Sequence, residues 1–171
     1  IIREKPQTNE ALVKISRKAA SNNKSAPLSK RRIFALYHEL VKEEKTEKDE
    51  VLEKLLQKAP IRTLSGVAPV TVLTKPFPCP GKCVYCPMEP NMPKSYLSNE
   101  PGAMRAVRLK FDPYHQTARR IQMMEDNGHA CDKIDLLVLG GTWSAYTKDY
   151  QQWFIMRCFQ AANDGDNDWP K

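Results

Sequence analysis

The chain has 171 residues, 41% hydrophobic and 27% charged, a globular balance that excludes wholesale disorder and allows one ordinary domain, or a small domain plus part of a larger one. No apolar run approaches the roughly 20 residues of a membrane-spanning helix and no signal-peptide pattern opens the chain, so a cytoplasmic protein with no membrane partner is expected. Of the 27 Lys and Arg and 20 Asp and Glu that give a formal charge of +7, 14 basic and 9 acidic residues fall within 1–60; the excess lies mainly there and points to a polyanionic partner.

In chain order, residues 9–60 read as a small basic helical module. Ile33, Phe34, Leu36, Tyr37, Leu40 and Val41 fall at helical spacing within Lys30–Lys45, with Leu28-Ser29 ahead of them as a cap. Asp49–Lys58 follows, with Val51, Leu52, Leu55 and Leu56 on one side, and Pro27 and Pro60 bracket the region. Beyond residue 60 the β-branched run Val67–Leu73 is a strand, although Pro69 is awkward at an interior position. Lys75 to Pro93 is too rich in proline for a long helix or ladder. Asp112 caps the next helix, with Pro113 at its first position, Gly128 at its end and Ala118, Ile121 and Met124 as its apolar stripe. Arg119-Arg120 reads as the solvent face of that helix, and His115 and His129 as surface residues.

Ile134–Leu139 is a continuous apolar run closed by Gly140-Gly141-Thr142, as expected of a strand buried on both faces. A last helix spans roughly Lys148–Asn163, with Trp153, Phe154, Met156 and Phe159 apolar, before a polar tail from Asp164 to Lys171. Strand, loop, helix, strand, helix is parallel α/β growth. Two such strands make a poor sheet alone, and the chain begins with Ile1 rather than Met, so an amino-terminal portion of a longer protein is expected, with domains at 1–60 and 61–171.

Three of the five cysteines lie in Cys79-Pro80-Gly81-Lys82-Cys83-Val84-Tyr85-Cys86. An odd total with such clustering makes a poor disulfide framework and a good soft-metal site. The C-x3-C-x2-C spacing supplies three of the four thiolates of a four-iron cluster and leaves one iron open unless Cys131 or Cys158 completes the set. Each of those two sits alone in or beside a helix and reads as a core thiol. A zinc knot is the alternative; zinc sites usually pair C-x2-C with a second pair or with two spaced histidines, and neither follows here.

The triplet, with an aromatic before its third cysteine, resembles the radical S-adenosylmethionine (SAM) enzymes. Together with Arg62-Thr63-Leu64-Ser65-Gly66-Val67, Thr74-Lys75-Pro76-Phe77-Pro78, Glu100-Pro101-Gly102-Ala103-Met104-Arg105-Ala106 and Leu139-Gly140-Gly141-Thr142-Trp143, it is similar to the catalytic subunit of Elongator and its single-chain bacterial and archaeal relatives. The resemblance implies the start of a radical SAM, partial TIM-like barrel preceded by a basic α-helical tRNA-binding region. It implies Cys79, Cys83 and Cys86 as ligands of a [4Fe-4S] cluster, and Tyr85, Gly140, Gly141 and Thr142 as SAM contacts. The implied reaction cleaves SAM to a deoxyadenosyl radical, takes a hydrogen from acetyl-CoA and leaves 5-carboxymethyluridine at the tRNA wobble position. No residue of this chain is assigned a catalytic role. A whole barrel needs about 200 residues or more, and the family's acetyl-CoA-binding domain lies downstream of the matching region, so turnover by this chain alone is not expected.

For tRNA contact the candidates are Lys30, Arg31 and Arg32 at a helix amino end, where an anion would relieve the conflict between cations and the helix dipole, and Arg105, Arg108 and Lys110 after the cysteine loop. Arg17, Lys18 and Lys24 are second-line candidates, and Tyr96 and Trp143 are read first as packing residues. Beyond tRNA and acetyl-CoA, the expected partners are other Elongator subunits or a further copy of the chain. Two other functions remain open: a non-catalytic tRNA-binding or assembly segment with a zinc or empty cysteine site, and a protein-lysine acetyltransferase.

Overall fold

The computed structural model describes residues 1–164. Two compact units divide the chain: Ile1–Val67 with Met123–Asp132, and Ala68–Gln122 with the chain from Lys133 onward.

The first unit is built on α1 (Asn9–Asn22), α2 (Lys30–Lys42) and α3 (Glu50–Leu56). Each begins at a side-chain cap: Thr8 Oγ1 accepts from Ala11 N–H, Ser29 Oγ from Arg32 N–H, and Asp49 Oδ1 from Val51 and Leu52 N–H. The expected helices thus form, but α2 stops three residues short of Lys45. Leu12, Ile33, Tyr37, Leu52 and Leu56 make the core, each side chain contributing roughly 1.5–3 kcal/mol by leaving water. Tyr37 also accepts the Asp49 N–H at 2.6 Å, tying α2 to the start of α3. Gly128 has φ +83° and ends the turn after the fifth helix, where the positive φ favours glycine. His129, read from the sequence as a surface residue, is buried at 5% exposure: its Nδ1 lies 2.9 Å from Thr63 Oγ1 and 3.3 Å from Gln57 Nε2. Polar neighbours distant in sequence make that burial possible, and no local pattern announces them.

The second unit has a parallel pair, β1 (Ala68–Leu73) and β2 (Ile134–Leu139), in register from Ala68 opposite Ile134 to Leu73 opposite Leu139. Between them lie α4 (Pro101–Arg108) and α5 (Pro113–Glu125), whose last turn belongs to the first unit; α6 (Lys148–Asn163) follows β2. Helix α4 was not anticipated; Ala103 and Ala106, small and buried, seat it against Leu73 and Met92.

Ala68 N–H bonds Lys133 C=O and Thr74 N–H bonds Leu139 C=O, so the even-numbered residues of β1 point their polar groups at β2. Pro69 therefore stands on the other edge, where its missing N–H costs no ladder bond. That edge is met by α5: Gln116 Oε1 accepts from Leu73 N–H and its Nε2 donates to Leu73 C=O, both at 2.9 Å, and Arg120 Nε donates to Pro69 C=O at 3.2 Å. Arg120 is consequently buried at 9% exposure, correcting its reading as a solvent-face residue. Gln116 and Arg120, one helical turn apart, do what a neighbouring strand would do. His115 is half-buried, its Nδ1 2.8 Å from the Asp112 carboxylate.

Burial on β2 alternates, with Asp135 and Leu137 exposed, so the expectation of burial on both faces fails among the described residues. On α6, Phe154, Cys158 and Ala161 are buried, whereas Trp153, Met156 and Phe159 are exposed. No helix among the described residues is long and apolar enough to cross a membrane. The tail beyond Asp164 lies outside the described residues.

Candidate functional site at the strand ends

Both parallel strands end on the same side of the second unit, and the residues that leave them build the site. Thr74 prolongs β1 by one ladder bond and is 1% exposed. Its hydroxyl lies 2.8 Å from Tyr146 Oη, which donates to Lys75 C=O at 2.6 Å. Lys75 N–H in turn donates to Tyr150 Oη at 3.1 Å, and the Lys75 ammonium lies 4.7 Å from the Tyr150 ring centre. Burial pushes the Tyr150 hydroxyl up to about 12 and raises that of Tyr146, so both are neutral donors or acceptors at physiological pH. Trp143 packs on Tyr146 and Phe154 at centroid distances of 6.1 and 5.8 Å. Tyr96 packs on the core of Leu73, Met92, Ala103 and Ala106. Both readings of these aromatics as packing residues hold.

Gly140 faces Thr74 across the strand ends. A Cβ there would lie 1.9 Å from Thr74 Oγ1 and 3.1 Å from its Cβ. The glycine is required by this close approach. Gly141 has ordinary space, its nearest neighbours being atoms of Lys94 at 3.8–3.9 Å.

The cysteine loop leaves from Lys75. Cys79 Sγ lies 3.0 Å from Thr142 Oγ1 and accepts from Gly81 N–H at 3.4 Å. The Thr142 hydroxyl, then the Gly81 N–H, hold the Cys79 thiol below its ordinary value against the opposing effect of burial, with the Lys94 charge the least of these contributions. A Cβ on Gly81 would sit 3.5 Å from Cys79 Sγ and 3.6 Å from Cys83 Sγ, so these two sulfurs flank the same small space. Cys86 Sγ lies 2.9 Å from Ser95 Oγ, and Ser95 N–H returns to Pro87 C=O at 3.2 Å. Lys94 Nζ donates to Gly81 C=O at 2.6 Å. Tyr85 and Val84 at the tip are 85% and 100% exposed.

Among the described residues no group of three or more His, Cys, Asp or Glu is drawn together for a metal ion. The donor chemistry nonetheless fits a soft iron centre: three thiols on one open loop, two of them facing the space that Gly81 leaves, and the third held only by a serine hydroxyl. Cys158 is 0% exposed, and burial raises its thiol, as expected of a core cysteine. Cys131 belongs to the first unit and lies 3.8 Å from His129 C=O.

The basic candidates divide. Lys30 Nζ donates to Asn9 Oδ1 at 2.7 Å and to Leu55 C=O at 2.6 Å. Its charge thus sits at the carboxyl end of α3, which resolves the conflict with the amino end of α2 by an internal contact rather than a phosphate. Arg31 pairs with Asp126, and Arg105 donates to Pro101 C=O at 3.2 Å. Arg32, Arg108 and Lys110 are exposed and have no side-chain partner among the described residues. Sequence reasoning missed Thr74, Lys94, Ser95 and Tyr146, which support the loop or its root, and Gln116, which holds the edge of β1.

The fold and site define a parallel α/β segment with a three-thiol loop at the carboxyl ends of its strands. No protein-family model matches the chain. Over 135 residues, 75% of this chain and 25% of the relative, it is 44% identical to the tRNA uridine(34) acetyltransferase of Methanocaldococcus infernus. It is 45% identical over 102 residues to the protein of that name in Dehalococcoides mccartyi, covering 60% of this chain and 22% of that one. It is 40% identical over 122 residues to human Elongator complex protein 3, covering 65% and 22%. The chain belongs to the Elongator catalytic subunit family and spans about a quarter of the length of these relatives.

Proposed function

We propose that this chain supplies the cluster- and SAM-binding segment of an enzyme that modifies the wobble uridine of tRNA. The observation that carries the reading is the loop Cys79–Cys86 at the strand ends, with Cys79 and Cys83 facing the space at Gly81, in a chain similar to proteins named for uridine-34 acetylation. Cys79, Cys83 and Cys86 would hold three irons of a [4Fe-4S] cluster, Cys86 exchanging the Ser95 hydroxyl for metal. The Gly140-Gly141 turn would offer its backbone to the amino-acid part of SAM, with open space at Gly141 and Thr74 packed against Gly140, and Tyr85 would lie beside it. When bound, the cluster and SAM supply one-electron chemistry that no side chain of this chain can perform.

This chain's own residues fix the place where that chemistry happens. Thr142 orients the Cys79 sulfur, and the Thr74, Tyr146 and Lys75 bonds anchor the point from which the loop departs. Of the six candidates named for tRNA contact, Arg32, Arg108 and Lys110 would be available to phosphates, adding affinity without reading sequence. The reaction begins from acetyl-CoA and ends at 5-carboxymethyluridine, with the remainder of a radical SAM barrel completing the pocket in the cytoplasm.

The test is anaerobic reconstitution of the full-length protein with iron and sulfide, followed by EPR of the dithionite-reduced form with and without SAM. A four-iron signal that changes on adding SAM, and is lost when the three loop cysteines become serine, is expected. Stoichiometric zinc with no iron uptake would refute the reading and favour a structural site.

A further inference from the structure

Lys94 lies between two sequence-distant parts of the site. Its ammonium donates to the Gly81 carbonyl at 2.6 Å, and the N–H of the same glycine donates to Cys79 Sγ at 3.4 Å. Gly81 is thereby held from both sides, between the two cysteines whose sulfurs flank it. The backbone and Cβ of Lys94 lie 3.8–3.9 Å from the position a side chain on Gly141 would occupy. The next residue, Ser95, has φ +79° and places its hydroxyl 2.9 Å from Cys86 Sγ. The base of this arrangement is firm: Met92 is 8% exposed and packs with Leu73, Ala103 and Ala106, and Pro93 is fully buried. A buried Met-Pro anchor thus presents a Lys-Ser pair to a cysteine loop whose own tip is exposed.

We propose that Lys94 is a positioning residue for the cluster: it latches the cysteine loop at the Gly81 carbonyl and sets a positive charge near Cys79. The inference rests on the cluster reading above. The latch fixes the Gly81 peptide so that Cys79 and Cys83 keep facing one space. The charge favours the more negative, reduced state of whatever the thiolates hold, because net charge around a cluster sets its potential. No proton or covalent step is assigned to Lys94.

The experiment compares full-length wild-type protein with K94M, which keeps the aliphatic stem, and K94R, which keeps the charge and a donor. In the cofactor-free protein, native-state trypsin cleavage after Lys82 reports opening of the loop. K94M is expected to be cut at least fivefold faster than wild type, and K94R at near the wild-type rate. After reconstitution, the reduction equilibrium of K94M is expected to shift about tenfold toward the oxidised form, 59 mV for a one-electron couple, with K94R restoring it. Equal cleavage and equal potential in K94M and wild type would overturn the proposal, as would K94R behaving like K94M. Wild-type protein that takes up no iron and sulfide would instead overturn the cluster reading, while the cleavage ratio still decides the latch.

Discussion

Replacing Gly140 by alanine sets a methyl group 1.9 Å from Thr74 Oγ1 and 3.4 Å from its Cγ2. Thr74 is 1% exposed and cannot swing into solvent. If its side chain rotates, it abandons the 2.8 Å bond to Tyr146, itself 4% exposed, and leaves a buried hydroxyl unsatisfied, at about 1–3 kcal/mol. If the strand ends separate instead, overpacking costs about 1–3 kcal/mol. Stiffening of the unfolded chain by alanine returns about 0.4–1 kcal/mol. The net expectation is a loss of about 1.3 kcal/mol, which for a urea slope of about 2 kcal/mol per molar lowers the midpoint by about 0.6 M. Urea titration of Gly140→Ala, followed by tryptophan fluorescence, measures it. In a Thr74→Ala background the obstructing hydroxyl is gone, and the same substitution should cost under about 0.5 kcal/mol, a coupling that a double-mutant cycle isolates. A cost below about 0.5 kcal/mol in the wild-type background, or an equal cost in both, would refute the steric account of this glycine.

Two further expectations concern charge. Thr142→Val removes the leading cause of the lowered Cys79 thiol, so the pH midpoint of Cys79 alkylation by iodoacetamide in the cofactor-free protein should move up and the reactive thiolate fraction at neutral pH should fall; an unmoved midpoint would deny Thr142 its role. Lys30→Met should cost about 1–2 kcal/mol of stability through its two lost charge-assisted bonds, whereas Arg32→Glu should leave the urea midpoint unchanged and flatten the salt dependence of tRNA binding by about one unit of log–log slope or more. The opposite assignment would show Lys30 to be the nucleic-acid contact.

Elements whose causes are local were legible in the sequence. Ile134–Leu139 and Lys148–Asn163 form with the expected bounds, because an apolar run before Gly-Gly and a capping threonine before a long helical pattern are nearest-neighbour signals. Asp112 and Pro113 start α5 for the same reason, Asp112 Oδ1 accepting the His115 N–H at 2.8 Å. The misses arise where a distant partner decides. Arg119-Arg120 reads as a solvated pair until Pro69 is known to stand at an open strand edge with a carbonyl to satisfy. Helix α4 is hidden because its buried residues are two alanines, too small to mark an apolar face. Lys30-Arg31-Arg32 is one charge run in sequence and three different environments in space. Within the site the three clustered cysteines stand out by spacing alone, while Lys94, Ser95 and Tyr146 carry no signal until the chain has folded back on them.

The strand ends also explain why such a loop is tolerable in a folded protein. A thiol-rich segment with prolines at 76, 78, 80 and 87 can satisfy few of its own backbone groups and must be rooted elsewhere. Here the root is over-determined: Thr74 is held by the ladder and by Tyr146, and Lys75 by Tyr146 and Tyr150, both presented by the segment that follows β2. The far side is held by Lys94 and Ser95, on residues anchored by Met92 and Pro93. Between these supports the tip at Val84 and Tyr85 stands exposed. Rigid roots with an open tip keep the ordering cost of cofactor binding small, since only the few residues around Cys83–Cys86 remain to be fixed, at about 1–2 kcal/mol each. A cofactor bound there would then stabilise the loop by mass action. It follows that weakening the root, as Gly140→Ala should, would lower affinity for a cluster without altering any of the three cysteines.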